Sequence, residues 1–442
     1  MVQLSDHFTY KKLFKAVIPS IAMMVFISIY SIVDGLFVSN FVGTTAFASL
    51  NLIYPVLMIV GAIGFMLGAG GSALVAKTLG EGNKEKANKY FSMFIWATFI
   101  LGVTVSTILI IFTPQLAVFL GAEGEMIEHC VTYGRICLAF QTCFIVQNTF
   151  QAFFVTAEKP HLGLILSVIS GINNMILDFV FIVVFEMGIA GAALATGLSQ
   201  TIGAVVPIFY FTLNKKLNIN LGLPYFEFIA FFKGCVNGLS ELFTNVSASI
   251  VGMIYNSKLM TLAGENGIAS YGVILYAQFI FLAIYFGYSM GTAPIIGFNY
   301  GAKNKEELKN IFKKSMIVIG SLGVILVTLS ELLSLPIAKI FVSYDVELLN
   351  MTVRGFRIFA ISFIICGFNI FASSMFTALN NGIISLLLSI GRTFVFQLIA
   401  VFTLPVFFDL DGIWLSIIMS EFLALLVTIL FFSLNRKRYG YY

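Results

Sequence analysis

Twelve predominantly apolar stretches follow one another along this chain, each of about 18 residues or more and so long enough to cross some 30 Å of hydrocarbon as a helix. In lipid only helices and closed barrels satisfy their own backbone. No run of ten-residue windows alternates apolar with polar residues, which excludes a barrel. The reading is an all-α polytopic membrane protein with spans at 13–39, 48–76, 91–112, 131–155, 161–185, 190–212, 234–257, 267–298, 315–335, 353–377, 383–407 and 412–434. Composition agrees: 59% of residues are hydrophobic and 10% charged, whereas a soluble domain carries about a quarter charged.

The basic residues set the orientation. Lys11, Lys12 and Lys15, the loops around Lys84–Lys89, Lys159, Lys215–Lys233 and Lys303–Lys314, and the tail Arg436-Lys437-Arg438 alternate with loops bearing Glu123, Glu125, Glu128, Asp345, Glu347, Asp409 and Asp411. By the positive-inside rule both termini are expected in the cytoplasm, with the chain multi-pass in the cell membrane. The first apolar run lacks a small-residue cleavage signature and is expected to be a retained helix.

The chain repeats itself at a shift of 221 residues. Gly80-Glu81-Gly82-Asn83-Lys84-Glu85 returns as Gly301-Ala302-Lys303-Asn304-Lys305-Glu306. In the same register lie Gly43, Ala48 and Ser49 with Gly264, Ala269 and Ser270, Asn148 with Asn369, Thr156-Ala157 with Thr377-Ala378, and Gly191, Leu194 and Ser199 with Gly412, Leu415 and Ser420. Such self-similarity marks a duplicated architecture. Six spans per half is an even number, so the halves share one orientation, related by a pseudo-twofold along the membrane normal. The expected domains are an N-lobe (1–213), a cytoplasmic linker (214–228) and a C-lobe (229–442).

Against this apolar background two carboxylates stand out. Asp34 lies midway through the first span, and Asn174 and Asp178 share one face of the fifth. A charge at that depth costs at least ~2.5–3.5 kcal/mol, so such acids normally face a cavity and mark an ion or substrate path. Tyr30 sits one turn before Asp34. Oxygen-bearing groups converging between helices suit a hard cation such as sodium, and a carboxylate in a dry setting is equally able to carry a proton. The competing structural role is that Asn174 and Asp178 satisfy each other and tie helices together. Gln147, Asn148 and Gln151 fall within one turn of the fourth span and either line a cavity or bond between helices. Glu241, Arg392 and Glu421 are the ionisable groups of the second half. Arg392 reads as near the cytoplasmic end of its span, where it would snorkel, and Glu421 as deeper, within pairing distance of Arg392.

Other chemistries are excluded. The five cysteines have no metal or disulfide spacing, the three histidines stand alone, and no metal beyond sodium is expected. Gly287-Tyr288-Ser289-Met290-Gly291 fits a nucleophile pattern but lies inside an apolar helix without a histidine nearby; its glycines read as allowing close helix approach. Gly64, Gly68, Gly70 and Gly71 make the second span either pliable or closely packed.

Taken together, the residues resemble the multidrug and toxic compound extrusion (MATE) transporters, most like their MepA- and DinF-like branch. The likeness is carried by Tyr30-Ser-Ile-Val-Asp34-Gly, Gly70-Gly-Ser-Ala-Leu with Leu79-Gly-Glu-Gly-Asn83, Asn173-Asn-Met-Ile-Leu-Asp178, Gly188-Ile-Ala-Gly-Ala-Ala-Leu-Ala-Thr196 and Pro294-Ile-Ile-Gly-Phe-Asn-Tyr-Gly-Ala302, in order along nearly the whole chain. The resemblance implies two six-helix lobes that alternate between outward and inward openings and expel drugs in exchange for protons or sodium ions. It implies a cation site at Asp34, Asn174, Asp178 and Thr196, and a substrate cavity at Tyr30, Asn148 and Gln151. A polar site in the second lobe would draw on Glu241, Asn369, Arg392 and Glu421, where the glutamate and aspartate pair that some relatives use is not matched.

The expected function is therefore secondary active efflux of cationic or amphipathic compounds, with no cofactor and either H+ or Na+ as coupling ion. The alternative is a flippase or exporter of lipid-linked saccharides, whose cavity should be basic to hold pyrophosphate. An enzyme is not expected, since no nucleophile–base pair, metal cluster or phosphate loop is present. Expected partners are small-molecule drugs or toxins and membrane lipid, not nucleic acid, and the protein is expected to be a monomer.

Overall fold

The computed structural model describes residues 2–42 and 44–442; Gly43, one of the repeat positions, lies outside the described residues. Among these residues the regular structure is entirely helical. Span 1 is Tyr10–Phe41, span 2 Thr44–Gly80, span 3 Lys84–Phe119, span 4 Glu125–Thr156 and span 6 Gly188–Leu213. Span 5 runs from Pro160 to Asp178 and continues as a π-helical turn, Phe179–Val184.

The next helix, Phe228–Gly301, has 74 residues. At 1.5 Å per residue it would extend roughly 110 Å, several times the thickness of a bilayer. It is broken at Gly264, whose φ of 60° and ψ of −149° are not helical. Glycine takes that conformation without the Cβ clash that other residues meet. The break makes two spans, 7 (228–263) and 8 (265–301). Span 9 is Lys305–Val342. Span 10 is bent by 50° between Val346–Ala360 and Phe363–Ala378. Span 11, Gly382–Thr403, contains a π-turn at Gly391–Val395, and span 12, Pro405–Tyr439, is interrupted at Asp409. Twelve crossings result, as expected, and the helices run beyond the apolar cores that define them in sequence.

The duplication is visible in how the helices begin. Asn83 and Asn304 cap spans 3 and 9 with side chains that accept from Lys86 N (3.0 Å) and Glu307 N (3.1 Å). Each is preceded by a left-handed residue, Gly82 (φ 80°) or Lys303 (φ 56°). Asparagine favours that cap because its carbonyl satisfies an otherwise orphaned amide.

The linker is fixed along span 3. Gly222 N donates to Ser92 Oγ (2.8 Å), Asn220 N to Asn88 Oδ1 (2.9 Å) and Trp96 Nε1 to Gly222 O (3.1 Å). Lys84 Nζ donates to Leu217 O at 3.0 Å.

Both termini lie on the face that carries the basic loops. Leu4 N donates to Glu158 Oε1 (2.7 Å), Phe8 N to Glu307 Oε1 (2.9 Å), and the Tyr439 hydroxyl accepts from Asn381 Nδ2 (2.8 Å). On this same half the two lobes touch backbone to backbone. A Cβ placed on Gly70 would lie 1.9 Å from Gly234 O, and one on Gly238 1.9 Å from Met66 O. Nearer the basic face, a Cβ on Gly80 would meet Phe298 O at 1.9 Å and one on Gly301 would meet Lys77 O at 2.0 Å. Gly287 and Gly291 bring span 8 onto Ile21 and Val17 of span 1, the close approach expected of them. The glycines of span 2 thus serve packing: Gly64 and Gly68 seat spans 2 and 4 together at Ile145 and Thr149. Toward the opposite face, Gly35, Gly252 and Gly272 have no atom within 4 Å of where a Cβ would stand. The lobes are therefore joined at the basic half and splayed at the other.

Candidate functional site

Two polar centres lie in the membrane-spanning region, one in each lobe. In the first, Asp34 of span 1 approaches both Asp178 and Asn174 of span 5. One helical turn separates Asn174 from Asp178, so both point the same way. Asp178 is fully buried and Asn174 nearly so. None of these approaches has the geometry of a formed hydrogen bond: Asp34 Oδ1, both side-chain atoms of Asn174 and both carboxylate oxygens of Asp178 are buried without a partner. Asn174 and Asp178 do not satisfy each other. No ion pair among the described residues involves either acid.

Four further groups surround Asp34 within electrostatic reach: Tyr30, Tyr54 of span 2, and Tyr133 and Cys137 of span 4. The last three escaped the sequence reading. Tyr133 and Cys137 are an i, i+4 pair on one face of span 4, a signal lost among 17 tyrosines and a set of otherwise bland cysteines. Tyr30 was expected in the substrate cavity and belongs here instead, because it shares the Asp34 face of span 1 and packs beside Gly171 of span 5. Thr196 is half-buried in span 6 and forms no hydrogen bond to the acids. The neighbouring Asn173 points elsewhere, donating to Ser199 Oγ at 3.1 Å.

The second centre borders a cavity between the lobes. Its N-lobe wall includes Met24, Asn148 and Gln151, so the expected pair from span 4 does line it. Gln147 instead lies against Gly203 of span 6. The C-lobe wall carries Glu241, Arg392 and the hydroxyls of Ser373, Ser389 and Thr377. Arg392 does not snorkel. It stands mid-span, and its Nε donates to Glu421 Oε1 at 2.8 Å, with both side chains largely buried. Glu421 Oε2 accepts from Asn369 Nδ2 at 2.8 Å, and Asn369 Oδ1 accepts from Thr428 Oγ1 at 2.9 Å. The π-turn at Gly391–Val395 surrounds Arg392 in sequence, a device that often marks functional positions. Glu241 lies within electrostatic reach of Arg392.

The halves have diverged in chemistry where they agree in backbone. Asn369, spoken for in the C-lobe, corresponds to Asn148, whose Nδ2 is buried without a partner beside the cavity. Among the described residues no cluster of three or more histidine, cysteine or acidic side chains could hold a metal ion.

Comparison with known proteins places the arrangement in context. A family model described as MatE matches residues 19–180 and again residues 242–403. The chain is 25% identical over 438 residues to the multidrug export protein MepA of Staphylococcus haemolyticus, covering 98% of this chain and 96% of that one. The MepA of Staphylococcus aureus is 25% identical over 441 residues, with the same coverage. In structure the chain is similar to a multidrug resistance MATE family transporter of the MOP superfamily in an outward-facing conformation, with a TM-score of 0.93 and 25% identity over 99% of this chain and 98% of that one. It also superposes, with a TM-score of 0.90 and 24% identity over the same shares, on a MOP superfamily transporter from Pyrococcus furiosus Vc1 whose reversed pocket polarity suggests a different function.

Proposed function

Because the chain belongs to the MatE family, a family of transporters and not enzymes, we propose that it is a secondary active exporter of cationic or amphipathic compounds, driven by inward movement of H+ or Na+. The observation that carries this reading is the pair Asp34 and Asp178, a half-buried and a fully buried carboxylate with buried, unpartnered oxygens and, among the described residues, no ion pair to a basic group. Such a pair is costly unless a cation visits it, and cation occupancy is then coupled to conformation. The coordinating groups in this reading are Asp34, Asp178 and Asn174, with Tyr30 beside them and Thr196 retained as an outer member from the family likeness.

The lobes are proposed at 1–213 and 229–442, joined by the linker 214–228. Taking the basic face as cytoplasmic under the positive-inside rule, the splayed half opens outward, and the cavity beside Asn148 and Gln151 is the substrate chamber. Cation binding between spans 1 and 5 would favour one opening over the other by a few kcal/mol, and by reciprocity substrate binding would weaken the hold on the cation. A lipid-linked saccharide flippase calls for a basic chamber. Here the arginine of the cavity is faced by Glu241 and already bonded to Glu421, which favours the exporter.

The test is uptake of a cationic dye into inverted vesicles under imposed proton or sodium gradients. Gradient-driven transport that is lost in Asp34→Asn and Asp178→Asn supports the reading. Full transport in both variants removes these acids from the mechanism.

A further inference from the structure

The Arg392 guanidinium is only partly engaged. Its Nε is bonded to Glu421, while among the described residues its two terminal amino groups make no hydrogen bond, and the residue lines the cavity. The group behind it is rigid, because both oxygens of Glu421 are held, one by Arg392 and the other by Asn369, which is in turn held by Thr428. Beside it Ser373 Oγ lies 2.8 Å from Ser389 Oγ and 2.9 Å from Ser385 Oγ, so hydroxyls are arrayed along the same wall. Glu241 faces the site without a salt bridge of its own.

We propose that Arg392 is an oxyanion subsite of the transport chamber, selecting compounds that carry a carboxylate alongside a cationic group. The proposal rests on the efflux reading above and adds a substrate class to it. The physical case is one of geometry and charge. Two coplanar N–H donors match the two oxygens of a carboxylate, which a lysine cannot imitate. A guanidinium needed only to neutralise Glu421 would have no reason to present its free edge to an open chamber. Arg392 and Glu421 cancel, leaving the Glu241 carboxyl as the remaining acidic group of this wall. A zwitterion satisfies both, its cation toward Glu241 and its carboxylate on Arg392.

A rhodamine free acid, which carries a delocalised cation and a carboxylate, and its ethyl ester, which carries the cation alone, separate these contributions. Binding of each to the purified full-length protein is measured by fluorescence anisotropy. Relative to the ester, the acid should bind about tenfold or more better to the wild type than to R392Q/E421Q, the expected worth of a charged hydrogen-bonded pair. The double substitution avoids stranding Glu421, and circular dichroism verifies folding. R392K, which keeps the charge and loses the fork, should fall between the two. E241Q should weaken both dyes and leave their ratio intact. An acid-to-ester ratio unchanged in both R392Q/E421Q and R392K overturns the subsite while leaving efflux untouched. Failure of the wild type to bind either dye overturns the efflux reading and the subsite with it.

Discussion

Asp34 on span 1 and Asp178 on span 5 turn their carboxylates toward each other, and among the described residues no basic side chain is paired with either. Two acids in that relation share whatever cation arrives, so neither alone should suffice. Asp34→Asn and Asp178→Asn are each expected to lower gradient-driven dye export by at least about tenfold, within the usual range of coupling energies. Asn173→Ala, adjacent in sequence but bonded to Ser199, is expected to stay close to wild type. Vesicle transport under an imposed gradient distinguishes the three.

The Arg392–Glu421 pair makes a different kind of prediction. Removing the cation alone, as in Arg392→Ala, leaves a largely buried carboxylate uncompensated and should destabilise the protein by roughly 3–5 kcal/mol. Replacing both partners together with apolar residues, R392M/E421L, should cost far less. Thermal unfolding in detergent provides the comparison, and equal losses in the two variants would show that the pair is not what holds spans 11 and 12 together.

The glycine contacts predict an effect on conformation. A methyl on Gly70 or Gly238 has to displace backbone carbonyls 1.9 Å away, at a cost of about 1–3 kcal/mol for overpacking. Gly70→Ala and Gly238→Ala should therefore populate states in which the basic half has parted. Spin labels placed on the two lobes and read by pulsed electron paramagnetic resonance would report longer distances across that half. Gly252→Ala and Gly272→Ala, with no atom within 4 Å, should leave the distribution unchanged.

The N-terminal segment is a fourth place to look. Leu4 is bonded to Glu158 of the first lobe, while His7 and Phe8 are bonded to Glu307 of the second, His7 Nδ1 at 2.7 Å. The segment thus ties the lobes on the basic face. Asn310 and Lys314 of the second lobe also donate to Phe8 O; Glu307→Ala removes the carboxylate's share of this attachment, and the expected result is faster labelling of a cysteine introduced at Ala16, which borders the cavity under the segment. Unaltered labelling would mean that the segment follows the closure of the lobes instead of reinforcing it.

How far all this could be read from sequence differed by feature. The twelve spans and the repeat were legible because apolar length and a fixed register are properties of the chain itself. The break at Gly264 was legible only as a repeat position, since nothing local distinguishes it from the helical glycines around it. Asp34, Asn174 and Asp178 announced themselves by their cost in lipid. Tyr54, Tyr133 and Cys137 did not, because an aromatic or a thiol is inexpensive there and earns no notice until it is seen beside an acid. Arg392 was misjudged for a related reason. Its stem is long enough to reach an interface, and only the positions of Glu421, Asn369 and Thr428 show that it turns inward. The π-turn around it depends on one extra residue per turn, which no apolar pattern records.

The lobes meet on the basic half through bare main chain at Gly70, Gly238, Gly80 and Gly301. At these four contacts no rotamer change can ease the seam by degrees, for a glycine has no side chain to rotate. It unfastens as a zip does once the first tooth is free, and a leak through a half-open state is suppressed by the same absence of side chains that lets the seam shut.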